Sequence, residues 1–148
     1  LTKEATKVKQ FVQSNNNKIW DKLAGEMAVA YVQASKKYKV PLEILVGKDM
    51  VESEFKIFAK SKTGAAGVGQ LDHSAWRDVL PQGNPYDPMY NIESCAAVMS
   101  HYIKKYGFRK GIEMYNVGDG NYAKGIRNKA YVSKVLSAAS EYRYFKGE

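Results

Sequence analysis

The sequence is poor in the residues that would cross-link a fold or bind a metal. It has one cysteine, two histidines and four prolines in 148 residues. The single cysteine, Cys95, excludes an intramolecular disulfide, and its separation from His73 and His101 argues against a metal site. No apolar run approaches the roughly 20 residues that a membrane-spanning helix needs. We therefore expect a fold held by its apolar core, without a metal and without an integral membrane segment.

What the chain does have is an excess of positive charge, +8 at neutral pH. Such an excess attracts polyanions, which include nucleic acid, anionic membranes and bacterial cell wall. The lysines are spread along the whole chain, whereas nucleic-acid-binding proteins usually concentrate them in one patch or stripe. We therefore predict no nucleic-acid partner. The chain begins at Leu1 without a signal-peptide pattern, which leaves any targeting segment unidentified.

Apolar residues recur every three or four positions along most of the chain, which predicts a mainly α-helical fold. Between residues 18 and 37, for example, Ile19, Leu23 and Met27 share one face. Asp87 followed by Pro88 is a helix-start signal. The predicted helices span residues 3–13, 18–37, 42–55, 74–80, 88–106, 110–115 and 129–144, and residues 116–120 are predicted to form a turn.

Residues 59–72 have a different character. They contain Gly64, Gly67 and Gly69 among small residues and show no helical period. This pattern predicts a loop with short extended pieces, such as a small hairpin. A phosphate-binding loop is excluded because no Gly-Lys-Ser/Thr sequence follows and the run does not open a helix directly.

Glu52 is a candidate for acid catalysis. It lies near the C-terminal end of a predicted apolar helix, two turns after Leu45 and on the same face. Burial and the helix dipole would both raise the pKa of its carboxyl group, as a general acid at neutral pH requires. A glutamate at a helix end is, however, more often a solvated surface residue.

Four short motifs around and after Glu52 favour a catalytic role for this residue over a solvated surface position. They are Glu52-Ser53-Glu54-Phe55, Ser61 with Gly64-Ala65-Ala66-Gly67-Val68-Gly69-Gln70, Tyr115-Asn116-Val117-Gly118, and Tyr131-Val132. In this order they resemble the catalytic domain of soluble lytic transglycosylases, a family with a goose-type-lysozyme-like fold. The stretch from Tyr86 to Ile92 is also similar to the family's run before its long central helix. The resemblance covers residues 38–136.

The resemblance implies a lysozyme-like α+β domain, a helical bundle with a small loop or β-hairpin region around residues 59–72. We accordingly predict a single catalytic domain over residues 1–148, with N-terminal helices in 1–38 and the transglycosylase core in 39–148. The substrate implied is the glycan strand of peptidoglycan. The protein would act on the bacterial cell wall as a monomer, whether periplasmic, secreted or phage-delivered.

The same resemblance implies a mechanism. Glu52 would protonate the glycosidic oxygen between N-acetylmuramic acid and N-acetylglucosamine. It would then take the proton from the C6 hydroxyl of the muramic acid, which closes a 1,6-anhydro ring. No water enters, so the second carboxylate of ordinary glycosidases is not needed, and no cofactor is required.

The resemblance also implies five substrate-binding residues. Ser61 would bind the lactyl or acetamido region, and Gln70 a sugar, although both are also typical of loop stabilisation. Tyr115 would hold the catalytic carboxyl, Asn116 would line or brace the site, and Tyr131 would complete an aromatic wall. Either tyrosine could equally be a core residue with a satisfied hydroxyl.

The sequence departs from the family pattern at three places, and it leaves two alternative functions open. Gly69 stands where a Met is common, Asp72 follows where a Met/Thr-Pro is common, and Val117 replaces a frequent Ala. If Asp72 activated water, the protein would be a hydrolytic muramidase; we favour a helix cap for this residue. A non-catalytic cell-wall-binding module is the remaining alternative.

Overall fold

The computed structural model describes residues 1–147, and α-helices account for most of them. The mainly helical prediction is therefore confirmed. The helices are α1 (Lys3–Asn15), α2 (Asp21–Tyr38), α3 (Leu42–Ser53), α4 (Pro88–Tyr106), α5 (Phe108–Val117), α6 (Asp119–Ala123) and α7 (Lys129–Tyr144), and a short 3-10 turn covers His73–Trp76.

Several predicted helix bounds were wrong. The helix predicted over residues 74–80 is only the 3-10 turn at His73–Trp76 followed by turns, and α2 begins at Asp21 instead of residue 18. Two further differences follow from backbone conformation. Helix α3 stops at Ser53 instead of residue 55, because Glu54 and Phe55 both adopt left-handed backbone angles, with φ of 53° and 59°. The predicted turn at residues 116–120 is largely helical. Helix α5 continues through Val117 and α6 begins at Asp119, so that Gly118 alone, with φ of 77°, separates them.

Helix α3 lies at the centre of the fold and packs most closely against α7. The contact depends on Gly47, because a Cβ atom at this position would lie 2.6 Å from the backbone nitrogen of Ala139. Beyond the end of α3, the fully buried ring of Phe55 meets the rings of Phe11 on α1 and Tyr31 on α2 edge to face. The helix that carries Glu52 is thus fixed from both sides.

The segment from residue 59 to 72 follows α3 and is almost free of regular structure. The small hairpin expected here is reduced to two isolated antiparallel bridges, Lys60 with Ala66 and Ala66 with Leu71. Positive φ angles at Gly64 (102°) and Gly67 (80°) let the chain reverse direction. We call this segment the glycine loop.

Helix α4 holds the glycine loop in place through one buried amide. Asn91 has no exposed surface. Its Nδ2 donates to the carbonyls of Ala66 (3.0 Å) and Pro85 (2.9 Å), and its Oδ1 accepts from the backbone N–H of Gly69 (2.8 Å). The loop is therefore fastened through its backbone atoms.

Within residues 1–147, no helix is long and apolar enough to cross a membrane. In the same part of the chain, His, Cys, Asp and Glu side chains form no group of three or more that could hold a metal ion.

Candidate active site

Glu52 is half-buried in the last turn of α3, and a tyrosine from α7 holds its carboxyl group. The hydroxyl of Tyr131 donates a 2.7 Å hydrogen bond to Oε2 of Glu52. Tyr131 is itself positioned by the start of α7, where the side chain of Asn128 accepts from the Tyr131 backbone N–H at 3.0 Å. The close packing of α3 on α7 brings these two parts of the chain together.

The surroundings of Glu52 favour its protonated form. Burial raises the pKa of its carboxyl group, and the nearby Asp49 adds to the increase. The hydrogen bond from Tyr131 and the positive charge of Lys48 oppose it without cancelling it. A raised pKa keeps a larger fraction of the carboxyl protonated near neutral pH, which suits a general acid.

A buried ion pair lies one helical turn before Glu52. Lys48 and Asp49 are each 1% exposed, and Lys48 Nζ lies 2.5 Å from Oδ1 of Asp49. Tyr31 donates to the other oxygen of Asp49 at 2.6 Å, and Lys48 Nζ donates to the hydroxyl of Tyr115 at 3.3 Å. The sequence analysis did not single out either charge. The sequence did contain a signal for this pair. Two charged residues stand among apolar ones in the predicted helix, three and four positions before Glu52.

The hydroxyl of Tyr115 is hydrogen-bonded to the glycine loop. This buried group donates to the carbonyl of Gly69 at 2.7 Å. Sequence reasoning gave Tyr115 the task of holding the Glu52 carboxyl, but the hydrogen bond to that carboxyl comes from Tyr131. The reason lies in helix packing, since α7 places its first turn beside Glu52 while α5 places Tyr115 beneath the loop.

Ser61 and Gln70 bracket the glycine loop and stabilise its backbone. The Oγ atom of Ser61 accepts from the N–H of Ala65 at 2.9 Å. The Nε2 atom of Gln70 donates to the carbonyls of Ala59 and Gly67, each at 2.9 Å, while Gln70 itself adopts a φ of 53°. Contacts of these two side chains with a sugar stay predictions.

Helix α3 is also tied directly to the glycine loop. Ser53, the residue after Glu52, donates from Oγ to the carbonyl of Val68 at 2.6 Å. This bond, together with those from Tyr115 and Asn91, anchors backbone groups of three loop residues, Ala66, Val68 and Gly69. The loop is therefore fixed to α3 at the residue that follows Glu52.

A groove of about 750 Å³ runs beside the glycine loop. Three predicted site residues, Gln70, Tyr115 and Asn116, line it, and Trp76 and Tyr102 add aromatic surface. Aromatic faces combined with amides and hydroxyls are suited to binding sugars, which have apolar faces and polar edges. The structure thus brings three of the five predicted binding residues to one concave surface.

Asn116 links this groove to the residue that holds Glu52. Its Oδ1 accepts from Nδ2 of Asn128 at 2.8 Å, and Asn128 caps the turn that carries Tyr131. The bracing position expected of Asn116 is consistent with this chain of contacts. It connects α5 to the first turn of α7 without passing through the core.

Asp72, the one candidate for a second carboxylate, is engaged locally. Its Oδ1 accepts from the backbone N–H of Ser74 at 3.1 Å and from the Ser74 hydroxyl at 2.6 Å, so that it caps the 3-10 turn. This is the capping arrangement favoured from the sequence.

Comparison with protein-family models agrees with this arrangement. Residues 30–136 match the family described as the transglycosylase SLT domain. The matched range starts inside α2, eight residues before the resemblance noted above (30 against 38), and ends at the same residue. It includes Glu52, Tyr131 and the whole glycine loop. The chain belongs to the transglycosylase SLT domain family.

Proposed function

We propose that the protein is a peptidoglycan lytic transglycosylase that uses Glu52 as its single acid and base. The observation that carries the proposal is the half-buried Glu52 carboxyl, with its raised pKa and its hydrogen bond from Tyr131, in the part of the chain that matches the family. The bond cleaved is the β-1,4 linkage between N-acetylmuramic acid and N-acetylglucosamine.

In the first step, the protonated Glu52 carboxyl gives its proton to the glycosidic oxygen. The bond between this oxygen and C1 of the muramic acid breaks, and N-acetylglucosamine leaves with a free hydroxyl. Positive charge develops at C1, and Glu52 is left as a carboxylate. The Tyr131 hydroxyl donates to Oε2, so it stabilises the negative charge that forms on Glu52 in this step.

In the second step, the Glu52 carboxylate takes a proton from the C6 hydroxyl of the same muramic acid. The C6 oxygen bonds to C1 and closes the 1,6-anhydro ring. Glu52 ends the cycle protonated, and no water is consumed. A single carboxyl therefore suffices, whereas hydrolysing glycosidases use two.

The glycan strand would lie along the groove beside the glycine loop. Gln70 and Asn116 offer amide groups to sugar hydroxyls, and Tyr115 offers part of its ring. Ser61 adds a hydroxyl at the start of the loop, next to the Thr63 and Ala65 side of the groove. The net charge of +8 would hold a monomeric enzyme close to anionic wall polymers.

Product analysis tests the reaction directly. Purified peptidoglycan is digested, and the soluble muropeptides are examined by mass spectrometry. Anhydro ends, about 18 mass units (one water) lighter than reducing ends, are the expected result. Reducing ends alone would contradict transglycosylation and would establish the hydrolytic muramidase instead.

The Glu52→Gln variant separates an enzyme from a wall-binding module. Glutamine keeps the shape of the side chain and can still accept from Tyr131, so the fold and wall binding should persist. It cannot deliver a proton, and release of muropeptides should fall by about a hundredfold to ten-thousandfold, as expected when an essential acid is removed. Normal lysis by this variant would overturn the proposed mechanism.

A further inference from the structure

The buried ion pair of α3 is the feature of the site that the proposed mechanism does not use. Lys48 and Asp49 are adjacent in the chain, both lie in the core, and both are hydrogen-bonded to tyrosines from other helices. Placing two charges in an apolar core costs more than an apolar pair of the same size would. A stability role alone therefore does not account for them.

Lys48 occupies a space that a specific glycine leaves empty. A Cβ atom on Gly69 would lie 2.9 Å from Lys48 Nζ and 2.5 Å from the sulfur of Cys95. The same glycine replaces the Met that commonly precedes the glutamine in this family. The glycine and the buried lysine thus fit one another, since a side chain at position 69 would displace the ammonium group.

Lys48 Nζ also connects the catalytic helix to the loop beneath the substrate groove. It contacts Asp49, donates to the Tyr115 hydroxyl, and lies 4.5 Å from the centre of the Tyr115 ring. Tyr115 in turn donates to the Gly69 carbonyl. On a helix, Lys48 and Glu52 share a face, because they are four residues apart.

We propose that Lys48, held by Asp49, is a positioning residue of the active site. It places a permanent positive charge one turn behind Glu52 and fixes Tyr115 and Gly69 beside the catalytic carboxyl. The proposal rests on the proposed function for its meaning in catalysis, although the charge relationship can be measured without substrate.

The groups that face this region come from five helices. Tyr131 belongs to α7, Tyr115 to α5, Cys95 to α4, Lys48 and Asp49 to α3 itself, and Tyr31, behind Asp49, to α2. Burial raises the pKa of the Cys95 thiol to about 11 and raises those of the three tyrosines, so all four stay neutral at physiological pH. Among these groups Lys48 supplies the one positive charge.

The charges of Lys48 and Asp49 have opposite effects on the pKa of Glu52. Lys48 lowers the pKa of Glu52 more strongly than Asp49 raises it. Burial alone would lower the pKa of Lys48, but Asp49 and its other neighbours override this and raise it, so that Lys48 stays charged. The pair therefore limits how far burial raises the pKa of Glu52 and keeps its carboxylate accessible for the second step.

The double variant Lys48→Met/Asp49→Asn removes both charges and avoids leaving one of them buried and unpaired. The carboxyl of Glu52 is followed by ¹³C NMR in glutamate-labelled protein, with Glu52→Gln used to assign its signal. We expect the titration midpoint to rise by about half a pH unit or more. The matched control is Lys37→Met/Glu93→Gln, which removes an exposed ion pair between α2 and α4 and should leave the midpoint unchanged.

An unchanged or lowered midpoint in a folded double variant would overturn the proposal. If the variant does not fold, the wild-type protein still provides a test. The ¹⁵N signal of the Lys48 ammonium should show a protonated group at pH 9 and should shift as Glu52 titrates, and this shift should disappear in Glu52→Gln. A neutral Lys48 amine at pH 9, or a ¹⁵N signal that does not shift as Glu52 titrates, would contradict the proposal.

Activity measurements then connect the pair to catalysis. In the double variant, the pH at which kcat/KM falls on the alkaline side should rise together with the Glu52 midpoint. If the midpoint moves while wild-type protein yields no cleavage products at all, the proposed function fails and the charge relationship stands. If cleavage is normal and the midpoint does not move, the positioning role fails alone.

Discussion

The hydroxyl of Tyr131 and the carboxyl of Glu52 meet at 2.7 Å although 79 positions separate them in the sequence. The contact exists because α7 packs on α3 closely enough to bring its first turn beside the last turn of α3. Tyr131 stabilises the ionised form of Glu52, which in the proposed mechanism the cleavage step would produce and the ring-closing step would consume. Replacing this tyrosine therefore tests both steps.

The Tyr131→Phe variant should lower kcat and move the pH profile. A hydrogen bond to a charged group is worth roughly 1.5–3 kcal/mol, so kcat should fall about tenfold or more. The bond lowers the pKa of Glu52, so its loss raises that pKa further. The alkaline limb of kcat/KM, where the acid loses its proton, should shift upward by about one pH unit. Tyr144→Phe on the same helix, at a side chain 74% exposed, is the control and should behave as wild type.

The wild-type pH profile is a separate test of the acid role. Burial raises the pKa of Glu52, and cleavage begins from the protonated carboxyl, so activity should persist above the ordinary range of a glutamate and then decline as pH rises. Release of soluble muropeptides, measured at constant ionic strength, gives the profile. Activity that increases steadily with pH would mean that an ionised group starts the reaction, which is incompatible with this mechanism.

Gly47 should be intolerant of even a methyl group. The added Cβ of Gly47→Ala would meet the backbone of Ala139 at 2.6 Å and force α3 away from α7. We expect a loss of about 1–3 kcal/mol in the free energy of unfolding, as is usual for overpacking, measured by urea denaturation. Gly25→Ala in α2 is the matched control, since its Cβ would find only an ordinary 3.8 Å contact with Leu1. That variant should be neutral or slightly stabilised.

Asn91 should be required for the shape of the glycine loop. Asn91→Ala removes the side-chain partners of the Pro85 carbonyl and of the Gly69 N–H, and it leaves the Ala66 carbonyl with the Leu71 N–H as its donor. Each buried backbone group left without a partner costs about 1–3 kcal/mol. Hydrogen exchange at the amide of Gly69 should accelerate, and cleavage should weaken with it. Protection at Gly69 equal to wild type would show that the loop keeps its conformation without the asparagine.

The mainly helical fold and the family could be predicted from the sequence, while the catalytic role of Glu52 stays a prediction. Periodic apolar positions gave the mainly helical fold, and the motif around Glu52 identified the carboxyl that α7 contacts. The last predicted helix, 129–144, has the observed bounds. These features depend on local patterns, which a single chain displays directly.

The buried ion pair and the tyrosine contacts depend on which helices pack against each other, and this cannot be predicted from local sequence patterns. Lys48 and Asp49 look like surface residues until α2 and α5 supply tyrosines for them. The assignment of the Glu52 hydrogen bond to Tyr115 instead of Tyr131 has the same origin, because only the packing of α7 on α3 brings the Tyr131 hydroxyl to the carboxyl. The turn predicted near residue 118 was wrong because a single glycine can divide two helices without a loop.

The glycine loop is fastened to the helices through its main chain. Asn91, Ser53 and Tyr115 bind the carbonyl or N–H groups of Ala66, Val68 and Gly69. Such anchors do not depend on the identity of the exposed side chains between Ser61 and Ala65. Lys62 and Thr63 can therefore change, by evolution or by design, without disturbing Glu52 and the scaffold around it, whereas Gly64 is kept by its positive φ.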